Sequence, residues 1–261
     1  MRKVLYYHTN VTEDWGTWSS IVMEQMVCMK NSGLLKELDE LIVTVVVDLG
    51  AEPGDVCLRN IILSFYPEAR FDIVYNGHLK KYTENRTKQT IWNRAREEFV
   101  SKENVVIGYV HTKGVTAVEN HLKSLRTDTF INYYLWRQFL NWGVIEQWRG
   151  CLQHIGGITP GFKFDVAGVN YFVDPCPHFS GNFWWSTSDY ITTLADPATN
   201  AWWELIQNTT ADAWLRTAGE RHKDEMWILS NPKVTTWSSG DIVGPSAINL
   251  SAQPIFRNQY T

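Results

Sequence analysis

Residues 41–47, Leu41-Ile42-Val43-Thr44-Val45-Val46-Val47, form an unbroken apolar, largely β-branched run. β-Branched side chains suit a pleated strand better than a helix. A strand that is apolar on both faces cannot lay one face against water. It needs cover on both sides, the condition of a strand inside a parallel sheet between two helix layers. Three more short runs fit the same sheet: Val4–His8, Ile73-Val74-Tyr75-Asn76 and Val105-Val106-Ile107-Gly108-Tyr109-Val110. Between them, Thr17–Leu38 reads as a helix ending near Gly33, and Thr83–Phe99 as a helix with Thr83 as candidate N-cap. The order strand, helix, strand, loop, strand, helix, strand predicts an α/β fold, a mostly parallel sheet with flanking helices. Ligands of such sheets bind beyond the carboxyl ends of the strands.

The second half carries a different pattern. Thr127–Ile155 reads as helical and is rich in aromatic residues, with an end at Gly156-Gly157. A Gly/Pro-rich connection and an aromatic turn follow, then helices at about Ser188–Leu194, Ala201–Gln207 and Asp212–Thr217. The last twenty residues read as a loosely structured tail. No internal repeat or long linker divides the 261 residues, a length that one large domain accommodates.

Charge and cysteine usage exclude several classes. The net charge of −4 comes without a basic tail or long Lys/Arg run, which argues against a nucleic-acid binder. Cys28, Cys57, Cys151 and Cys176 are scattered and form no CxxC pair, so a zinc ribbon or thioredoxin-type site is not expected. Reduced thiols of a cytoplasmic protein are the simpler reading. The short apolar run after Met1-Arg2-Lys3 reads as a first strand rather than a signal peptide. No apolar stretch approaches the roughly 20 residues of a membrane span.

Two local signatures carry chemistry. The fourth strand runs directly into His111-Thr112-Lys113-Gly114, at the edge where ligands are expected. Lys113 is a compact cation suited to a phosphate. Thr112 and the Gly114 backbone add donors, and His111 can donate to phosphate or orient a hydroxyl. The plainer alternative is a solvated loop lysine beside a strand-capping threonine. The second signature is Pro177-His178-Phe179-Ser180-Gly181-Asn182-Phe183-Trp184-Trp185. It places a small polar centre, Ser180, Gly181 and Asn182, between aromatic rings. Rings cover the C–H face of a sugar, and short polar groups read its hydroxyls. A buried aromatic turn is the competing explanation. Trp184 and Trp185 cannot both face a site if the segment is extended, so one of the two is expected in the core.

With Trp148-Arg149, Phe164–Asn170, Tyr190-Ile191 and Glu225-Met226-Trp227, these blocks resemble a group of glycosyltransferase-like proteins of bacteria and large viruses, distantly similar to rhamnan-synthesis transferases. The resemblance covers roughly residues 1–230. It implies a glycosyltransferase-A-type, Rossmann-like fold in one domain over 1–261: a nucleotide-binding half (1–125), an acceptor-side half (126–240) and a tail (241–261). It also implies transfer of a sugar from a nucleotide-sugar donor to a glycan acceptor. Many enzymes of that fold hold a divalent metal through Asp-x-Asp after the fourth strand. This chain contains no Asp-x-Asp, and His111-Thr112-Lys113 stands in its place. A fixed ammonium can stabilise the leaving diphosphate as a metal would. Metal-independent transfer without a cofactor is therefore expected, with manganese as the alternative to test.

The acceptor hydroxyl needs a base. Asp224-Glu225, read as opening a late helix, supplies the candidates, Glu225 first and Asp224 second, in an inverting reaction. First-turn acids favoured by the helix dipole are the competing explanation. Further donor-side candidates are placed by topology: His8, Thr9 and Asn10 after the first strand, Asp48 after the second and Asn76 after the third. Asp165 is a candidate for an acceptor hydroxyl or a turn cap, and His178 joins the sugar side. A catalytically inactive nucleotide-sugar or glycan-binding module is the rival function. A hydrolase finds no Gly-x-Ser-x-Gly elbow in the chain.

Overall fold

The computed structural model describes residues 1–76, 84–99, 105–113, 115, 127–156, 163–173, 176–199, 201–209 and 219–240. The first half builds β1 (Arg2–Val11), α1 (Trp15–Asn31), α2 (Leu34–Glu37), β2 (Glu40–Asp48), α3 (Pro53–Phe65), β3 (Arg70–Asn76), α4 (Asn85–Glu97) and β4 (Val105–His111). Asp14 caps α1, its carboxylate accepting from the Thr17 amide (3.3 Å) and the Thr17 hydroxyl (2.6 Å). The connection between β2 and β3, expected as a loop, is the helix α3. Pro53 starts it, and Leu58 and Ile62 bury one side at a four-residue spacing. Glu84, not Thr83, holds the N-cap position of α4, and Thr83 lies outside the described residues.

The expected helix over 127–155 is α5 (Thr127–Leu140), a π-helical turn (Asn141–Glu146) and α6 (Trp148–Ile155). Short strands β5 (Val166–Gly168), β6 (Tyr171–Phe172), β7 (His178–Phe179) and β8 (Trp184–Thr187) follow, then α7 (Ser188–Thr192), α8 (Ala201–Thr209), α9 (Gly219–Met226) and β9 (Thr236–Ser238). The helix expected at 212–217 and the tail at 241–261 lie outside the described residues.

Seven of these strands form a mostly parallel sheet in the order β3-β2-β1-β4-β8-β5-β9. β3, β2, β1 and β4 run parallel, β8 lies antiparallel between β4 and β5, and β9 pairs parallel with β5. The fold is thus α/β and Rossmann-like, as expected. β2 is buried along nearly its whole length, which satisfies the two-sided apolar run.

Alternation along the strands divides the core into two layers. Leu5, Tyr7, Val43, Val45 and Val106 pack with α1, α3, α5 and α6 on one face. Val4, Tyr6, Ile42, Ile107 and Tyr109 pack with α4, α7 and α8 on the other. Trp184 and Trp185 follow the same rule. Both are 0% exposed, Trp184 in the second layer and Trp185 in the first. Gly108 makes room for Trp185, because a Cβ there would stand 2.8 Å from the indole. One of the pair is expected in the core and the other at the sugar; the core expectation holds for both, one per face, and the sugar contact is corrected.

The chain steps outward from β1 to β2 and β3, then returns to place β4 on the other side of β1. The carboxyl ends of β1 and β4 are thus the switch point of the sheet, where a crevice opens in folds of this kind. His8 and His111 are paired in register there.

Candidate functional site

Tyr6 and His8 on β1, and Tyr109 and His111 on β4, project to the α4 side of the sheet by the two-residue period of a strand. At the carboxyl end they meet the start of α4, the end of α9 and the turn between β7 and β8. Glu84 stands at the centre of this cluster. Its Oε2 accepts from the Tyr109 hydroxyl (2.9 Å) and from Asn182 Nδ2, and its Oε1 lies 3.6 Å from His111 Nε2. His8 Nδ1 and Thr87 Oγ1 are 2.9 Å apart. Lys113 Nζ donates to Glu225 Oε1 (3.1 Å) and lies over the Trp136 ring, 4.3 Å from its centroid. Lys88 on α4, 1% exposed, pairs with the Asp224 carboxylate and donates to the Asp224 carbonyl oxygen (3.2 Å).

Electrostatics follow from this packing. Burial raises the cost of charge on Glu84, but the groups around it, His111, Lys88, His8 and Lys113, outweigh that and hold its carboxyl at about 2. Burial likewise opposes charge on Glu225, and Lys113 overrides it, so this carboxyl too lies below its ordinary value. Burial lowers His8 to about 4 and lowers His111, so both rings are neutral near pH 7. Burial first, and then the Glu84 charge, raise the Tyr109 hydroxyl, which stays a donor. The site at neutral pH is a set of lysine–carboxylate pairs beside neutral histidines.

The opposite face of β4 carries a second polar network that fixes the backbone of the His-Thr-Lys segment. Gln25 Nε2 donates to the His111 carbonyl (3.0 Å) and to Asn141 Oδ1 (3.1 Å), and the Tyr7 hydroxyl donates to Gln25 Oε1 (2.7 Å). Arg137 clamps Glu24 through Nε and NH2 (3.0 and 3.1 Å) while NH1 donates to the Lys113 carbonyl (3.2 Å). Asn141, the first residue of the π-helical turn, donates to Glu24 as well (3.0 Å). Thr112 ties the strands together: its amide donates to the His8 carbonyl (3.1 Å) and its hydroxyl to Thr9 Oγ1 (3.4 Å).

The two sequence signatures are joined in space. His111 Nε2 lies 2.8 Å from the Gly181 carbonyl oxygen. Gly181 and Asn182 both take positive φ, 99° and 57°, in a turn closed by the Asn182 amide on the Phe179 carbonyl (2.9 Å). Asn182 is thereby aimed at Glu84, and Trp184 Nε1 donates to Asn182 Oδ1 (3.0 Å) to hold it there. The Ser180 amide donates to the Asn170 carbonyl (2.9 Å). His178 stacks on Phe172 and contributes to the field at Glu225.

Most other candidates lie apart from this cluster or outside the described residues. Asp48 accepts from the next amide, that of Leu49 (3.0 Å). It stands one residue beyond the Val47–Val11 pair, at the same sheet edge but well past His8. Asn76 pairs in register with Asp48 at that edge. Asn10 is the exception: it follows His8 and Thr9 on β1, opposite Val46, on the same face as His8, and its side chain hydrogen-bonds to the His8 ring. Asp165 accepts from the Thr235 amide and hydroxyl (2.8 Å each), which serves the β5–β9 junction. Gly114 lies outside the described residues. Asp224 and Glu225 do not open a helix: they sit in the last turn of α9. The competing explanation, a favourable helix dipole, does not hold there, because a helix C-terminus repels anions. Lys88 and Lys113 supply the compensation instead.

Glu84, Thr87 and Lys88 belong to neither sequence signature. Their one local signal is their spacing: N-cap, third and fourth helical positions of α4 lie on one face. Among the described residues, no three His, Cys, Asp or Glu side chains gather as a metal-holding group. No described helix is long and apolar enough to cross a membrane.

A comparison with curated proteins finds no match. Among solved structures, 4-diphosphocytidyl-2C-methyl-D-erythritol synthase of Anaerococcus prevotii DSM 20548 is similar with a TM-score of 0.39 and 10% identity, over 99% of this chain and 98% of that chain. Another 4-diphosphocytidyl-2C-methyl-D-erythritol synthase gives 0.38 and 9%, over 80% of this chain and 85% of that chain. A family model, the domain of unknown function DUF8361, matches residues 5–239, and the chain belongs to that family.

Proposed function

We propose that this protein is a glycosyltransferase that binds a nucleotide-sugar donor at the carboxyl ends of β1 and β4 and transfers the sugar to a glycan acceptor. The observation that carries the reading is the meeting of Lys113, Glu225 and the Ser180-Gly181-Asn182 turn around Glu84 at the switch point of the sheet. Lys113 is the cation for the diphosphate, whose negative charge grows as the glycosidic bond breaks. Ser180, Gly181 and Asn182 face the sugar. Glu225 takes the proton of the acceptor hydroxyl in an inverting displacement, in preference to Asp224, which is held by the buried Lys88. Transfer proceeds without a metal.

One observation favours a second reading, a nucleotide-sugar or glycan-binding module without turnover. Glu225 is held below its ordinary value by Lys113, and a carboxylate so stabilised is a weak base. The two readings separate experimentally. A thermal-shift series over nucleoside diphosphates and their sugars identifies the donor, since a ligand of the folded state raises the melting temperature. Lys113→Ala abolishes that shift. Glu225→Gln keeps the shift and loses transfer. A shift without turnover on any acceptor favours the binding module, and no shift with any diphosphate overturns both. Activity in excess chelator is expected to be complete; loss restored by manganese refutes the metal-independent step.

A further inference from the structure

Two lysines and two consecutive acids face each other in the cluster. The lysines belong to the sheet side of the site. Lys88 is carried by α4, which packs on the sheet through Ile91 and Ala95. Lys113 follows β4, with its carbonyl held by Arg137 and its ammonium over Trp136. The acids belong to one short helix: Asp224 and Glu225 occupy the last turn of α9. That end of a helix already carries a partial negative charge. Two carboxylates there are unfavourable for α9 on its own, and the lysines compensate them. The Lys88 ammonium touches both the Asp224 carboxylate and the Asp224 carbonyl oxygen, so it neutralises side chain and helix end together.

We propose that Lys88 and Lys113 form a two-cation site for a diphosphate group, and that Asp224 and Glu225 are internal anions that fill it until a diphosphate displaces the last turn of α9. The proposal rests on the donor-site reading above. A buried lysine left without a counter-charge is strongly destabilising, so exchange of one anion for another is the low-cost way to open such a site. The exchange makes and breaks no covalent bond. It releases the Glu225 carboxylate from Lys113 as the donor enters, and so restores its basicity when the acceptor hydroxyl arrives. Donor therefore binds before acceptor.

The test is a calorimetric titration of the full chain with inorganic pyrophosphate at fixed ionic strength, for the wild type, Glu225→Gln and Asp224→Asn. Removing an internal competitor removes the population penalty on the open site, and Glu225→Gln is expected to bind about ten-fold tighter than wild type. Pyrophosphate also raises the melting temperature of Glu225→Gln more than that of the wild type. Glu225 is partly open to solvent, its side chain 16% exposed, and its variant carries the measurement if Asp224→Asn does not fold. Equal or weaker binding by Glu225→Gln, with binding by the wild type, overturns the displacement and leaves the donor site standing. No binding by the wild type or by any folded variant overturns both.

Discussion

His111 Nε2 lies 2.8 Å from the carbonyl oxygen of Gly181. A carbonyl only accepts, so the ring proton of the neutral His111 is on Nε2. This bond fastens the carboxyl end of β4 to the turn that carries Asn182, and it makes the position of that turn a property of the sheet. The turn depends on Gly181 in two further ways: its φ of 99° and its lack of a side chain, since a Cβ would stand 2.6 Å from Leu140 Cδ1.

Gly181→Ala is accordingly expected to destabilise the fold by about 2–5 kcal/mol, from backbone strain together with overpacking against Leu140. Urea denaturation measures it. A change under about 0.5 kcal/mol, the range of an ordinary surface substitution, contradicts the description of the turn.

Stability is expected to fall with pH on the acid side of neutrality. Burial lowers His8 from 6.5 to about 4 in the folded chain, so between those values the unfolded chain binds the extra proton. The stability present above about pH 6.5 is lost as pH falls towards 4, by about 3 kcal/mol for this group. Glu84, lowered from 4.5 to about 2, extends the loss in the same direction at lower pH. Urea midpoints at pH 7 and pH 4.5 show the slope, and His8→Gln flattens its upper part. An unchanged slope in that variant removes His8 as the cause.

The two tryptophans are expected to separate stability from binding. Trp185 Nε1 donates to the Val144 carbonyl (3.0 Å) on the α6 side, remote from Glu84. Trp185→Phe lowers stability by about 1–3 kcal/mol, the cost of an unpaired buried acceptor, and leaves ligand affinity unchanged. Trp184→Phe removes the bond that orients Asn182 and weakens the affinity for a sugar-bearing donor as well. Melting curves and titrations of the two variants side by side decide it; equal effects on affinity contradict the assignment.

Arg137 and Glu24 are expected to act on Lys113 from the far side of the sheet. Arg137→Lys loses the two-point clamp on Glu24 and the donation to the Lys113 carbonyl. Titration of the folded variant with a nucleoside diphosphate, well below its melting temperature, is expected to show affinity reduced about 3- to 30-fold. Unchanged affinity assigns the network to folding alone.

The sequence by itself determined the frame. The two-sided apolar run at 41–47 demanded a parallel sheet, and strand periodicity put His111, Thr112 and Lys113 at its carboxyl edge. These are local signals, set by backbone preference and by the two-residue alternation of a strand. The helix α3 was legible in the same terms, through Pro53, Leu58 and Ile62, although the segment reads at first as a loop. Only the tertiary structure decided the rest. It brought Glu84 and Lys88 under β1 and β4, set Asp224 and Glu225 at the end of a helix rather than its start, and paired each acid with a lysine over a hundred residues away in the chain. It also put β8 antiparallel beside β4, which buried Trp184 and Trp185 on opposite faces. Pairing and burial depend on which surfaces meet after the sheet closes, and residue type and spacing along one segment carry no record of that meeting.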